Sequence, residues 1–134
     1  MNRTSTPVPG TPASVFPQLG EAGIRRIVEA FYRRVEQDAL LRPMYPEDLE
    51  GSRERFALFL IQFFGGPHSY SERRGNPMLR KRHLPFSIGQ AERDAWLSHI
   101  TAAIEEAHAP EPSRSTMLRY FHQASTFLIN SPSP

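Results

Sequence analysis

Apolar residues recur along this chain three and four positions apart, and no run of β-branched residues alternates with polar ones, so the pattern predicts an all-α domain. Ile24, Ile27, Val28, Phe31 and Val35 form one stripe, with Tyr32 at its border, on a first amphipathic helix. Phe56, Phe59, Leu60, Phe63 and Phe64 form a second stripe, and Gly65-Gly66-Pro67 ends that helix abruptly. A stripe so rich in phenylalanine serves either as ordinary core packing or as a dry wall against a flat ligand. From Gly65 to Met78 the chain is dominated by Gly, Pro, Ser, Asn and Arg, which predicts a loop longer than a plain helical bundle uses. Ser87 and Gln90 have capping-box spacing for a third helix carrying Trp96, Ile100, Ala103, Ile104 and Ala107 on one face. A last helix follows Pro112 and is expected to turn Met117, Tyr120, Phe121, Ala124, Phe127 and Leu128 inward. There are no internal repeats.

A length of 134 residues suits one domain with a single core. Residues 1–13, rich in Pro, Thr and Ser, are expected to form a disordered tail, residues 14–130 the folded domain, and residues 131–134 a second tail. The amino end carries Arg3 but no apolar h-region, so no secretory signal is expected. No apolar run approaches the roughly 20 residues that span a bilayer. The chain has no cysteine, which removes disulfides, thiolate-ligated haem, covalent haem attachment and iron–sulfur clusters, and is compatible with a reducing cytoplasm. A net charge of +2, with basic residues spread over the chain, gives a nucleic-acid footprint little support.

The residue with the most chemistry around it is His83, in Leu79-Arg80-Lys81-Arg82-His83-Leu84-Pro85-Phe86-Ser87-Ile88. An imidazole can be the single proximal ligand of haem iron, and cations on the same turn can pair with the two propionates. Pro85 interrupts a helical ladder two residues on, leaving the histidine on a short, stopped turn. His68, His99, His108 and His122 show no metal-site spacing and are expected at the surface or in polar contacts. No Gly-x-Ser-x-Gly elbow points to a hydrolase.

Further motifs accompany His83: Tyr45-Pro46-Glu47-Asp48, Phe64-Gly65-Gly66-Pro67, Tyr70-Ser71-Glu72, Arg74-Gly75, Pro77, Leu79-Arg80, Arg82-His83, Pro85-Phe86, Ile88 and Glu92-Arg93-Asp94-Ala95-Trp96. In this order and spacing, over residues 14–130, the chain resembles a group II truncated haemoglobin. Gly20-Glu21 stands where that family often has a Gly-Gly pair, and Asn76 where it often has histidine.

The resemblance implies a two-over-two helical sandwich around a non-covalent haem b whose iron is held by His83. It implies Tyr32, Tyr45 and Trp96 as distal hydrogen-bond donors, Ser52 and Phe56 at the gate and wall, and Phe59 farther along the wall. Arg82, with Tyr70 and Lys81, is the implied propionate partner. No histidine stands at the gate, so a five-coordinate iron is expected. The implied function is reversible binding of dioxygen and other diatomic ligands, with nitric oxide dioxygenation or a peroxidase reaction as possible activities. Arg73, Arg74, Arg80, Lys81 and Arg82 make an anion patch suited to an acidic reductase, and the protein is expected to be a monomer or homodimer with no membrane or nucleic-acid partner. The rival reading is a haem-free helical binding module that uses the basic loop 73–82 to contact nucleic acid or an acidic protein.

Overall fold

The computed structural model describes residues 7–75, 83 and 86–130, and among these every regular element is helical. A 3-10 turn over Pro12–Ser14 leads into α1 (Val15–Glu36). A second 3-10 turn, Arg42–Met44, connects to α2 (Glu50–Phe63), followed by the short α3 (Ser69–Arg74). Then come α4 (Gln90–Glu106) and α5 (Ser113–Phe127).

The apolar stripes become the interior. Ile24, Ile27, Phe31 and Val35 of α1 join Leu60 and Phe64 at the end of α2, Ile100 and Ile104 of α4, and Met117 and Phe121 of α5 in one core. Burying a side chain such as Phe31 or Phe64 fully contributes about 1.5–3 kcal/mol. Helix α1 is central: it packs against α2 on one side and most extensively against α4 on the other, while α4 also packs on α5. The helices therefore stand as two pairs, α1 with α2 and α4 with α5. This is the two-over-two arrangement.

Two glycines set the frame. At Gly20, φ is +72°, so α1 bends there between its first turn and the long stripe-bearing segment. At Gly65, φ is +104°, and a Cβ would lie 2.2 Å from the Ala13 carbonyl oxygen. The end of α2 thus crosses the start of α1 in backbone contact, sealed by the Phe16 N–H donating to the Phe64 carbonyl at 2.8 Å.

Three expectations are corrected. The stretch 65–78 is not loop throughout, because α3 forms within it. The Gln62 side chain bridges to Ser71, donating to its Oγ at 2.7 Å and accepting its N–H at 2.9 Å, while Tyr70 is buried. Such tertiary anchors stabilise a six-residue helix that propensity alone does not. Helix α4 is capped not by Ser87 with Gln90 but two residues later: Gly89 is the N-cap, and its N–H donates to the Glu92 carboxylate at 2.8 Å. Phe127 is 56% exposed rather than turned inward, since it is the last residue of α5.

Candidate functional site

Where the two helix pairs splay, they enclose a cavity of about 520 Å³. That is within the range of small-molecule and cofactor sites. Helix α1 contributes Phe31 and Tyr32 to its wall, the segment after it Leu41, Met44, Tyr45 and Pro46, and α2 Ser52, Arg55, Phe56 and Phe59. Tyr70 and Arg74 of α3 close one margin. His83, Phe86 and Ile88 stand at another, with Arg93 and Trp96 of α4 and Phe121 of α5 completing the wall.

All the site residues expected from the sequence that fall on described positions therefore meet at one cavity: Tyr32, Tyr45, Ser52, Phe56, Phe59, Tyr70, His83 and Trp96. Arg82 and Lys81 lie outside the described residues, as does most of the basic loop 73–82. Arg73 and Arg74 belong to α3, and Arg74 lines the cavity.

The aromatic end is built by helical register. Phe31 packs edge-on against both Tyr32 and Trp96, with centroids 5.2 Å apart in each pair, and Phe56 lies 6.1 Å from Trp96. Tyr32 and Tyr45 meet edge to face at 5.7 Å. These separations are those of favourable edge-to-face pairs, so each ring fixes its neighbour. The polar atoms are also organised. The Tyr32 hydroxyl donates to the Ser52 carbonyl at 3.3 Å, and the indole N–H of Trp96, which can only donate, acts on the Tyr45 hydroxyl. Burial pushes the Tyr45 phenol up to about 12, partly offset by the Trp96 bond. Burial raises Tyr32 further, assisted by Tyr45 and opposed by Arg55 and Arg53. Both phenols thus keep their protons throughout the physiological range.

His83 is half-buried, and its backbone carbonyl accepts the Phe86 N–H at 3.0 Å and the Asn130 side-chain amide at 3.2 Å. The other histidines are placed elsewhere. His99 pairs with Asp38 at 2.6 Å, His122 contacts Arg93 at 3.0 Å, and His68 is exposed.

The cavity's chemistry fits a haem. Its wall is dominated by aromatic and aliphatic side chains, it carries one imidazole, and the guanidinium groups of Arg55, Arg74 and Arg93 reach it. Arg93 donates to Asp94 and His122, yet its buried Nε has no hydrogen-bond partner among the described residues. A buried donor left over beside a cavity suits a ligand with acidic groups. Arg55 and Arg93 were absent from the sequence-based site, although their spacing held a signal: Arg55 follows Ser52 by three residues on α2 and Arg93 precedes Trp96 by three on α4, which puts each pair on one helix face. Asn130 gave no such signal.

A helical sandwich with a histidine and several aromatic hydrogen-bond donors about a largely apolar cavity fits a globin-type haem pocket. The family comparisons agree. The chain belongs to the bacterial-like globin family, whose model matches residues 14–130, and within it to the group II truncated haemoglobins. It is 42% identical over 115 residues to group 2 truncated hemoglobin YjbI of Bacillus subtilis, covering 86% of this chain and 87% of that one. Among solved structures it is similar to the hemoglobin of Chloroflexus aurantiacus, at 56% identity and a TM-score of 0.85, over 87% of this chain and 97% of that chain. It also superposes on the group II truncated hemoglobin of Bacillus anthracis, at 31% identity and a TM-score of 0.88, over 97% of each chain. Haem with its iron is accordingly the family's cofactor, and small diatomic molecules are its ligands. Among the described residues no helix is long and apolar enough to cross a membrane.

Proposed function

We propose that the chain holds one non-covalent haem b through His83 and reversibly binds dioxygen and other diatomic gases, in the cytoplasm. The observation that carries this reading is that a single aromatic cavity brings His83 together with Tyr32, Tyr45 and Trp96. When bound, the haem supplies an iron centre with a coordination position for a gas.

The chain's own residues do the rest. His83 is the proximal ligand. Phe31, Phe56 and Phe59 exclude water from the cavity and lower its effective dielectric, which strengthens every hydrogen bond made inside it. Trp96 and Tyr45 form a relay in which the indole N–H polarises the phenol, so that the Tyr45 hydroxyl is a better donor toward a gas carrying partial negative charge. Tyr32, its own proton directed to the Ser52 carbonyl, holds Tyr45 edge-on. Tyr70, Arg55, Arg74 and Arg93 would pair with the acidic groups of the cofactor, and the resemblance gives Arg82 and Lys81 the same role.

Reconstitution with hemin tests the reading. The wild type should show a Soret band and, when reduced, a five-coordinate high-spin spectrum, and His83→Ala should lose both. A six-coordinate low-spin ferrous spectrum without added ligand, or an unchanged spectrum in His83→Ala, overturns it.

A further inference from the structure

We infer that Asn130, beyond the end of α5 and distant in sequence from His83, is a positioning residue that holds the segment carrying His83. This rests on the reading of His83 as the iron ligand.

One side chain meets three backbone groups of that segment. The Asn130 amide Nδ2 donates to the His83 carbonyl at 3.2 Å and to the Phe86 carbonyl at 2.8 Å. Its Oδ1 accepts the Ile88 N–H at 2.8 Å, and its own backbone N–H donates to the Ile88 carbonyl, also at 2.8 Å. Both donors and the acceptor of the amide are thereby used, and no residue other than asparagine or glutamine offers two N–H groups and a carbonyl in one plane.

His83 and Phe86 sit beside the cavity, Phe86 is 41% exposed, and Pro85 within the segment can donate no backbone hydrogen bond. A ligating side chain is held within tolerance when a neighbour supports the backbone that carries it. Asn130 supplies such support, and its bond to the carbonyl of His83 places the constraint on the residue that carries the imidazole. Asn130 in turn follows the end of α5, whose Phe121 lines the same cavity and whose Met117 belongs to the core. The orientation of the proximal imidazole is thus tied to the last helix of the core.

The haem-loaded protein tests this with three variants. Asn130→Asp is isosteric and keeps the acceptor for Ile88 but loses both N–H donors. Asn130→Ala loses everything, and Asn130→Gln restores the chemistry one methylene farther out. Three quantities are read: the iron–imidazole stretching band of the ferrous protein by resonance Raman, the rate of hemin transfer to apomyoglobin, and hydrogen exchange of the Ile88 amide.

The Asp and Ala variants should both shift or broaden the iron–imidazole band and lose hemin about 2- to 12-fold faster, the factor that one net hydrogen bond represents. Gln should lie nearer the wild type. Ile88 exchange should quicken in Ala and stay protected in Asp. An unchanged band and hemin loss in a folded Asp variant overturn the proposal, as does an Asp variant that matches the wild type while Ala does not. If Ala prevents folding, the Asp and Gln variants still decide. Retention of the wild-type band in His83→Ala is a separate failure, since it removes His83 as the ligand and with it the reading on which this inference stands.

Discussion

At the scale of single residues, the cavity turns on hydrogen atoms that have somewhere to go. Trp96 has one indole N–H and directs it to Tyr45, whose hydroxyl is left to donate onward. Dioxygen held in such a pocket draws negative charge and gains from that donor, whereas carbon monoxide stays nearly neutral and gains little. Trp96→Phe keeps an aromatic body and removes the donor. Dioxygen should then dissociate roughly 10- to 150-fold faster, the equivalent of about 1.5–3 kcal/mol for a hydrogen bond to a charged acceptor, while carbon monoxide dissociation changes much less. Stopped-flow measurement of both gases checks this, and equal changes for the two would mean that Trp96 acts through shape alone. Because Tyr45 depends on Trp96, Tyr45→Phe in the Trp96→Phe background should add less than it does alone.

At the scale of elements, the end of α2 meets the start of α1 through a contact that only glycine permits. Gly65 combines φ of +104° with an Ala13 carbonyl oxygen where a Cβ would stand. An alanine there must either strain its backbone or push the start of α1 off the end of α2. Gly65→Ala should cost about 2 kcal/mol or more, seen as a lower urea midpoint with an unchanged denaturant slope. A midpoint equal to the wild type's would mean that the crossing relaxes freely. Gly20 differs, because its Cβ would meet nothing within 4 Å and only its φ of +72° resists a side chain.

At the scale of the molecule, the turn after α1 is fastened to α4 by Asp38. One carboxylate oxygen accepts the Leu40 and Leu41 N–H groups, at 2.7 and 3.2 Å, and the other accepts the His99 Nε2–H at 2.6 Å. The His99 hydrogen bond, with the two backbone bonds, holds the Asp38 carboxyl below its ordinary range. A folded-state value below the unfolded one means that the unfolded chain takes up the proton more readily. The stabilisation is therefore present above about pH 4 and is lost as pH falls through the folded value. Asp38→Asn should lower stability at pH 7 by about 1 kcal/mol and flatten its decline between about pH 5 and pH 2, as followed by urea unfolding at a series of pH values. An acid limb as steep as the wild type's would remove Asp38 from the account.

The sequence by itself determined the four long helices and most of their inward faces, because 3.6-residue periodicity is a local property written along the chain, whereas the residues expected at the cavity came from the resemblance to a family. It also held, unused, the same-face spacings that bring Arg55 beside Ser52 and Arg93 beside Trp96. Tertiary structure alone decided the remainder. Helix α3 exists because Gln62 and the buried Tyr70 anchor six residues of weak helical tendency. Gly89 rather than Ser87 begins α4 because the Glu92 carboxylate reaches the Gly89 N–H. Asn130 supports the histidine segment across 47 residues of chain. Each of these depends on a hydrogen bond whose partners become neighbours only when the helices pack, and no periodicity encodes such a meeting.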